Sequence, residues 1–399
     1  MIDSASTRIR AAGAVAALSL LLAHCSALPT RDLFTVDDLA GAKIVGMQDI
    51  RYWADQSTPD LHMAYQRRLM QERLAGGPAA ITRPAYMLAL SGGADEGAFG
   101  AGLLHGWTER GNRPQFNLVT GVSTGALIAP LAFLGSSHDP ALRKAFTEIE
   151  ASDIFEQHAI AGLLFGDALT SSDPLRNLVA SFADTALIDA VALEHRKGRR
   201  LLVATTNLDT QRPVMWDLGM IAASDNPNRH QLFRDVIVAS AAVPGLFPPV
   251  LIETEANGKR IKELHVDGGV TMNVLGLPRD FALQAAAQRA NVKRKTTMYV
   301  IYNGRVDPDF SVVAPGTLSI AKRSMSTLLK SHGRSTVFEM YEYTRKNKID
   351  FNLASIGKDF KEVSPAPFNR TYMNKLFDYG FAAGRTGYPW LKAPSGDGL

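Results

Sequence analysis

Cysteine is nearly missing from this chain: Cys25 stands alone among 399 residues. A single thiol cannot close an internal disulfide, so no disulfide framework supports the fold. Clustered His, Cys and Asp at metal-ligand spacing are missing too, which gives no reason to expect a catalytic metal, and no cofactor is expected. Neither sign of charge dominates. The 43 Lys and Arg stand against 39 Asp and Glu, a formal net charge of +4, and the basic residues are scattered. That balance gives no reason to expect a nucleic-acid partner. No Pro/Gly/Ser-rich linker, charge block or internal repeat divides the middle of the chain. With 46% hydrophobic and 21% charged residues, one large domain with a sizeable core and terminal extensions is expected.

An apolar run of bilayer length is also lacking at the N-terminus. Ala11 to Ala23 gives thirteen residues after Arg8 and Arg10, whereas a span needs about 20. Basic start, short apolar stretch and small residues read as a secretion signal, residues 1–24; a buried helix is the alternative. Cys25 follows directly, in LLAHCSALP. The segment resembles a bacterial lipoprotein signal, in which that cysteine is lipidated. Leu22 and Ala23 fit the pattern; His24 stands where a small residue is usual. The resemblance implies export to the cell envelope, with a lipid anchor at the outer membrane or a periplasmic location. Removal of residues 1–24 takes Arg8, Arg10 and Asp3 and leaves a net charge of +3.

Residues 25–82 read as a polar N-terminal extension containing a helix, Tyr65 to Gly77. From Tyr86 the pattern changes. YMLALSGG and FNLVTGVS are short apolar runs, each followed by a helical stretch, AFGAGLLHGWTER and TGALIAPLAFL. Further strands are expected at Arg200–Leu208, Pro213–Gly219 and Thr296–Gly304, and helices at FRDVIVASAA and LPRDFALQAAAQRANV. Such alternation predicts a parallel sheet covered on both faces, with sites at the carboxyl ends of the strands. Residues 83–305 would form this unit and 306–399 a C-terminal helical extension packed on it. Ser152 to Ala183 reads as a lid or a surface insertion.

Two motifs fall at expected strand ends. Gly121-Val122-Ser123-Thr124-Gly125 is Gly-x-Ser-x-Gly between an apolar strand and a helix. A sharp turn there pushes the serine hydroxyl outward, and the helix amides favour developing negative charge. A serine that merely caps the helix is the bland alternative. LALSGGADEGAFGAG, Leu88 to Gly102, offers the amides of Gly92, Gly93 and Ala94 to an oxyanion, or is simply a tight turn. As a dinucleotide loop it fits poorly. The third-position glycine is absent, no acidic residue follows about 20 residues later for a ribose, and Asp95 and Glu96 would repel phosphate.

A nucleophilic serine needs a base. His332, in LLKSHGRS, is the only late histidine in triad order and sits in a polar helix-end context. His105 reads as a helix-surface residue or one packed on Trp107. His265 shares a strand face with Asp267 two residues on and reads as structural, or as a neighbour of the site. Asp267, in HVDGG, ends an apolar-leading strand before two glycines. It is a β-turn residue or a carboxylate whose burial would raise its pKa enough for it to act as general base.

SGGADEGAFGAGLL, GVSTG, ASAAVPGLFPPV (Ala239 to Val250) and DGG, in that order with Asn273 beyond, resemble the patatin-like phospholipases. The resemblance covers roughly Tyr86 to Gly304. It implies a three-layer α/β/α fold with a mainly parallel central sheet, and hydrolysis of lipid acyl esters by a Ser–Asp dyad. By position Ser123 would be nucleophile, Asp267 general base, and Gly92, Gly93 and Ala94 the oxyanion hole. Substrates would be lipid or phospholipid acyl esters, met at a membrane surface. Ala94 departs from the family's third glycine, Glu96 from its usual basic residue and Leu275 from its proline.

Two other functions compete: a non-catalytic envelope lipoprotein with a patatin-like fold, and a Rossmann-type nucleotide-binding oxidoreductase built on the first glycine loop. Thr317 to Lys330 places Leu318, Ala321, Met325 and Leu328 on one helical face and Lys322, Arg323 and Lys330 elsewhere. This reads as a core-facing helix or, alternatively, as an interfacial one.

Overall fold

The computed structural model describes residues 31–394 apart from 32, 157–170 and 309. The signal segment, Cys25 and residues 157–170 of the expected lid lie outside the described residues. Five strands form a parallel block in the order β4 (Arg200–Asn207), β3 (Leu118–Gly121), β2 (Ala85–Leu90), β8 (Thr296–Tyr302) and β9 (Asp350–Ser355). On the other side of β4 the sheet continues antiparallel through β5 (Arg212–Asp217) to β1 (Arg51–Trp53). Every residue of β4 is buried, as parallel strands covered on both faces require.

Alternation along the strands sorts the core into two layers. Leu88 and Leu90 of β2 and Leu201 and Val203 of β4 pack with the helices Gly97–Glu109, Thr124–Leu134, Arg229–Ser240 and Arg370–Thr386. Met87, Ala89, Leu202 and Ala204 point the other way, toward Leu61, Leu283, Val337 and Met340 from the helices Pro59–Gly76, Leu283–Arg289 and Thr317–Lys346. The result is a mixed α/β fold with a mostly parallel central block between helical layers.

Two strands form a hairpin, β6 (Val250–Ala256) with β7 (Lys259–Asp267). Its two-residue turn is Asn257-Gly258, both at positive φ, the turn whose twist matches the flanking strands. The far end of β7 enters the sheet. β3 stops pairing with β4 at Gly121↔Val203, and β7 takes over the same edge at Thr205↔Asp267. The end of the hairpin therefore arrives just beyond the end of β3.

The residues after 305 do more than add helices, because β9 completes the sheet. The helix Arg370–Thr386 lies directly on Gly97–Glu109: side chains at Gly102 or Gly106 would collide with the carbonyls of Phe377 and Phe381. The expected core-facing reading of Thr317–Lys330 is corrected. Ala321, Met325 and Leu328 are exposed, and only the second half of the helix, with Val337, Met340 and Tyr343, is buried. The amphipathic pattern is real, but among the described residues the apolar face of these first turns, with Ala321, Met325 and Leu328, is exposed.

Candidate active site

Ser123 sits between the end of β3 and the helix Thr124–Leu134 with φ +54° and ψ −124°. A non-glycine residue rarely holds a positive φ, and the surroundings must enforce it. They do so on both sides. A side chain at Gly121 would collide with the Gly125 carbonyl, and one at Gly125 with the Leu90 carbonyl. Ser123 N donates to Ser240 Oγ at 3.0 Å, and that hydroxyl donates to Ala204 O at 2.6 Å. The serine side chain makes no capping hydrogen bond to the helix it precedes. The bland capping reading of Ser123 therefore fails, and its hydroxyl is not committed to the helix.

Asp267 closes β7. Its amide donates to Ala242 O at 3.0 Å, and its carbonyl accepts from Thr206 Oγ1 at 2.9 Å. Its carboxyl accepts one hydrogen bond, from Gly269 N to Oδ1 at 2.6 Å. Oδ2 is buried and meets no hydrogen-bond geometry among the described residues, while the Ser123 hydroxyl is near enough to favour the charged carboxylate. Burial outweighs this and the Gly269 amide, pushing the Asp267 pKa up to about 6. Gly268 is glycine because a side chain there would press on Ala204 O, at 2.6 Å.

The glycine loop completes the cluster. A Cβ on Gly92 would lie 3.1 Å from Ser123 Cβ and 3.6 Å from Asn273 Oδ1. The three expected oxyanion donors are not equivalent. Gly92 N donates to the main-chain carbonyl of Asn273 at 3.2 Å. The amides of Gly93 and Ala94 meet no acceptor among the described residues. Ala94 holds φ +51°, which is why a glycine would be at ease there. Gly93 packs so closely on Asn303 that a side chain would collide with its carbonyl. The loop is thus tight against β8, a reason for its glycines unrelated to a pyrophosphate.

The histidines lie apart from this chemistry. His265 Nδ1 meets Thr205 Oγ1 at 2.9 Å, and Nε2 meets Glu263 Oε2 at 3.3 Å; burial holds its pKa down. His105 packs on Phe377 and Phe381 rather than on Trp107. His332 lines a surface cavity of about 540 Å³ with Val270, Thr271 and Thr336 and has no hydrogen bond to Ser123 or Asp267. A mainly apolar cavity of about 60 Å³ beside Tyr65, Met87, Leu118 and Phe281 lies at the opposite ends of the strands and contains none of the site residues.

Two supporting residues were given no role by the sequence. Asn303 ties the glycine loop down: its N donates to Ser91 Oγ at 2.7 Å, its Nδ2 to Ser91 O at 2.9 Å, and its Oδ1 accepts from Gly100 N at 3.1 Å. Ser240, inside the ASAAVPG stretch, holds the Ser123 amide. Neither could be found from spacing, since each acts across a gap of more than 100 residues.

Comparison with known proteins bears on the middle of the chain. Residues 88–278 match the family model described as patatin-like phospholipase. Among curated proteins none matches. Of solved structures, VipD from Legionella pneumophila is similar at 14% identity and a TM-score of 0.35, over 76% of this chain and 66% of that one. Human GIVD cytosolic phospholipase A2 is similar at 10% identity and a TM-score of 0.35, over 80% of this chain and 53% of that one. The chain thus spans just under two thirds of the first and about half of the second, and likeness at such scores carries no argument about chemistry. The matched segment runs from β2 to the residues just beyond Asp267 and Asn273, so the part of this chain that matches the patatin-like phospholipase family, residues 88–278, takes in Ser123, Asp267 and the glycine loop.

Proposed function

We propose that the protein is a lipid acyl hydrolase, a serine esterase of the phospholipase A or lysophospholipase kind, working through a Ser123–Asp267 dyad and an acyl-enzyme. Ser123 Oγ attacks the acyl carbonyl carbon while Asp267 takes the hydroxyl proton. The oxyanion is held by the amides of Gly93 and Ala94, with Gly92 fixing the loop through Asn273. Collapse of the tetrahedral intermediate breaks the ester bond, and Asp267 returns the proton to the departing alcohol or lysolipid. Water, deprotonated by Asp267, then attacks the acyl-enzyme and frees the fatty acid.

The observation that carries this reading is the pairing of a strained, uncapped serine with a buried carboxyl whose pKa is raised to about 6. A base so tuned is ionised at neutral pH yet still takes up a proton readily. Fatty-acid release from a panel of phospholipids, lysophospholipids and neutral esters tests it. The wild type should release fatty acid from at least one class and Ser123→Ala from none; turnover retained in Ser123→Ala would overturn the assignment. We further propose export to the cell envelope with Cys25 as a lipid attachment site, tested by radiolabelled palmitate incorporation that Cys25→Ser abolishes.

A further inference from the structure

The helix Pro59–Gly76 carries Leu61, Tyr65, Arg68 and Glu72 at three- and four-residue spacing, which puts them on one face. Leu61, Arg68 and Glu72 are buried. Burying an arginine and a glutamate is costly unless their charges are met. Here they are met incompletely. Arg68 Nε donates to Gly198 O at 3.1 Å, and its Nη2 lies 3.5 Å from Glu72 Oε2. Glu72 Oε1 already accepts from Arg294 Nη1 at 2.6 Å. Two guanidiniums thus share one carboxylate. Neither Nη1 nor Nη2 of Arg68 donates a hydrogen bond among the described residues. Burial and the nearby Arg294 push the Arg68 pKa down to about 10, which Glu72 only partly offsets.

Two adjoining cavities meet at this arginine. The first, of about 60 Å³, is lined by Leu61, Met87, Leu118, Leu202 and Phe281. A water-sized group needs about 10–15 Å³, so about four to six such groups fit; an apolar cavity holds water poorly and takes apolar ligands. Arg200 and Asp217 at its edge are committed to each other, to Gln71 and to the Met220 amide. The second cavity, of about 330 Å³, adds Lys293, Arg294 and Lys348 to Arg68 and has no Asp or Glu on its wall. Tyr65, Arg68, Met87 and Leu283 belong to both walls. The Tyr65 hydroxyl makes no hydrogen bond among the described residues. Ala85, Met87, Leu118 and Thr296 place this space at the amino ends of β2, β3 and β8, whereas Ser123 and Asp267 stand beyond strand carboxyl ends.

We propose that the two cavities form one binding site, separate from the catalytic serine, for a carboxylate amphiphile of the medium-chain fatty acid class. The carboxylate lies against Arg68 and Arg294, where it supplies the missing negative charge, and the tail enters the apolar cavity. A neutral lipid would leave the second guanidinium unmatched, and a bare phosphate would leave the apolar cavity empty. The acyl-hydrolase reading supplies the source of such a molecule, the acid that turnover releases, although binding itself does not require turnover.

Photo-crosslinking of the full chain with a decanoate carrying a terminal diazirine, followed by peptide mass spectrometry, tests this. Crosslinks should fall on the helix Pro59–Gly76 or on the peptide around Phe281. Unlabelled decanoate should compete for them, and decanol and inorganic phosphate should each compete at least about tenfold less well. Arg68→Gln, which removes the head's partner, and Ala64→Leu, which fills the apolar cavity and leaves every charge in place, should each lower crosslinking at least about tenfold. Cooperative thermal unfolding reports that each variant is folded. Ala64→Leu alone carries the test if Arg68→Gln does not fold. Crosslinks confined to the residues around Ser123, or left undiminished in either folded variant, would overturn the site. Phosphate competing as well as decanoate would overturn the amphiphile. A chain that crosslinks as expected but hydrolyses no ester would leave this site standing and remove the acyl-hydrolase reading instead.

Discussion

Glu263 and Asp267 lie on the same face of β7, and both carboxyls are buried. Their surroundings drive them apart. Glu263 accepts from both guanidinium nitrogens of Arg51, at 2.7 and 2.8 Å, from Asn207 Nδ2 at 2.8 Å and from Thr254 Oγ1 at 2.9 Å, and it meets His265. Burial opposes its charge, but His265 and Arg51 hold its pKa well below the usual carboxylate range. Asp267 has one main-chain donor and the nearby Ser123 hydroxyl, and burial raises its pKa to about 6. One strand thus carries a carboxylate satisfied for structure and another left short of partners. A buried acid with unused capacity is poorly placed for stability and well placed for proton transfer.

The largest effect that sharpens this contrast is on activity. Ser123→Ala and Asp267→Asn should each lower ester hydrolysis by at least about 10³-fold in a folded protein, whereas variants of Glu263 should act on folding first. Glu263→Gln removes the charge that Arg51 needs and should destabilise by about 3 kcal/mol in denaturant unfolding; a loss below about 1 kcal/mol would mean that the network is not what holds β7. Asp267→Asn should do the reverse. The folded-state pKa of about 6 lies above the ordinary value of 3.8, so the native state binds the proton more tightly. Stability linked to that proton is present at acid pH and lost as pH rises through about 6. An asparagine side chain in its place would not ionise, and the variant should therefore be more stable than wild type at pH 8, by up to about 3 kcal/mol, with the gain vanishing below the unfolded-state value. His332→Ala should leave turnover within about twofold, since the base is already supplied; a large loss would replace the dyad by a triad. The smallest change belongs to Ala94→Gly, which relieves a positive φ but frees the unfolded chain, and should shift stability by less than about 1 kcal/mol with activity retained.

How much of this was legible before the structure follows from how local each feature is. Ser123 and Asp267 are announced by their own glycines, because Gly121, Gly125 and Gly268 are demanded by close approach within a few ångströms of the residues they flank. The parallel block was readable from short apolar runs alternating with helices. The oxyanion donors were readable only as a group: the Asn273 carbonyl that takes up the Gly92 amide comes from 181 residues later, and no spacing rule reaches that far. Asn303, Ser240 and the Arg51–Glu263 pair act across the same kind of distance. The helix Thr317–Lys346 marks a different limit. Its apolar stripe was visible, but a stripe records amphipathicity and not what covers it, and only the packing distinguishes the buried second half from the projecting first.

The most direct measurement of the central claim is the rate of Ser123 labelling by a fluorophosphonate probe between about pH 5 and pH 8, in wild type and in Asp267→Asn. If Asp267 is the base, the wild-type rate rises with pH to half its maximum near pH 6, the pKa to which burial raises Asp267, and labelling is lost in Asp267→Asn. A rate that does not change across this range, or the same pH profile persisting in Asp267→Asn, would contradict it.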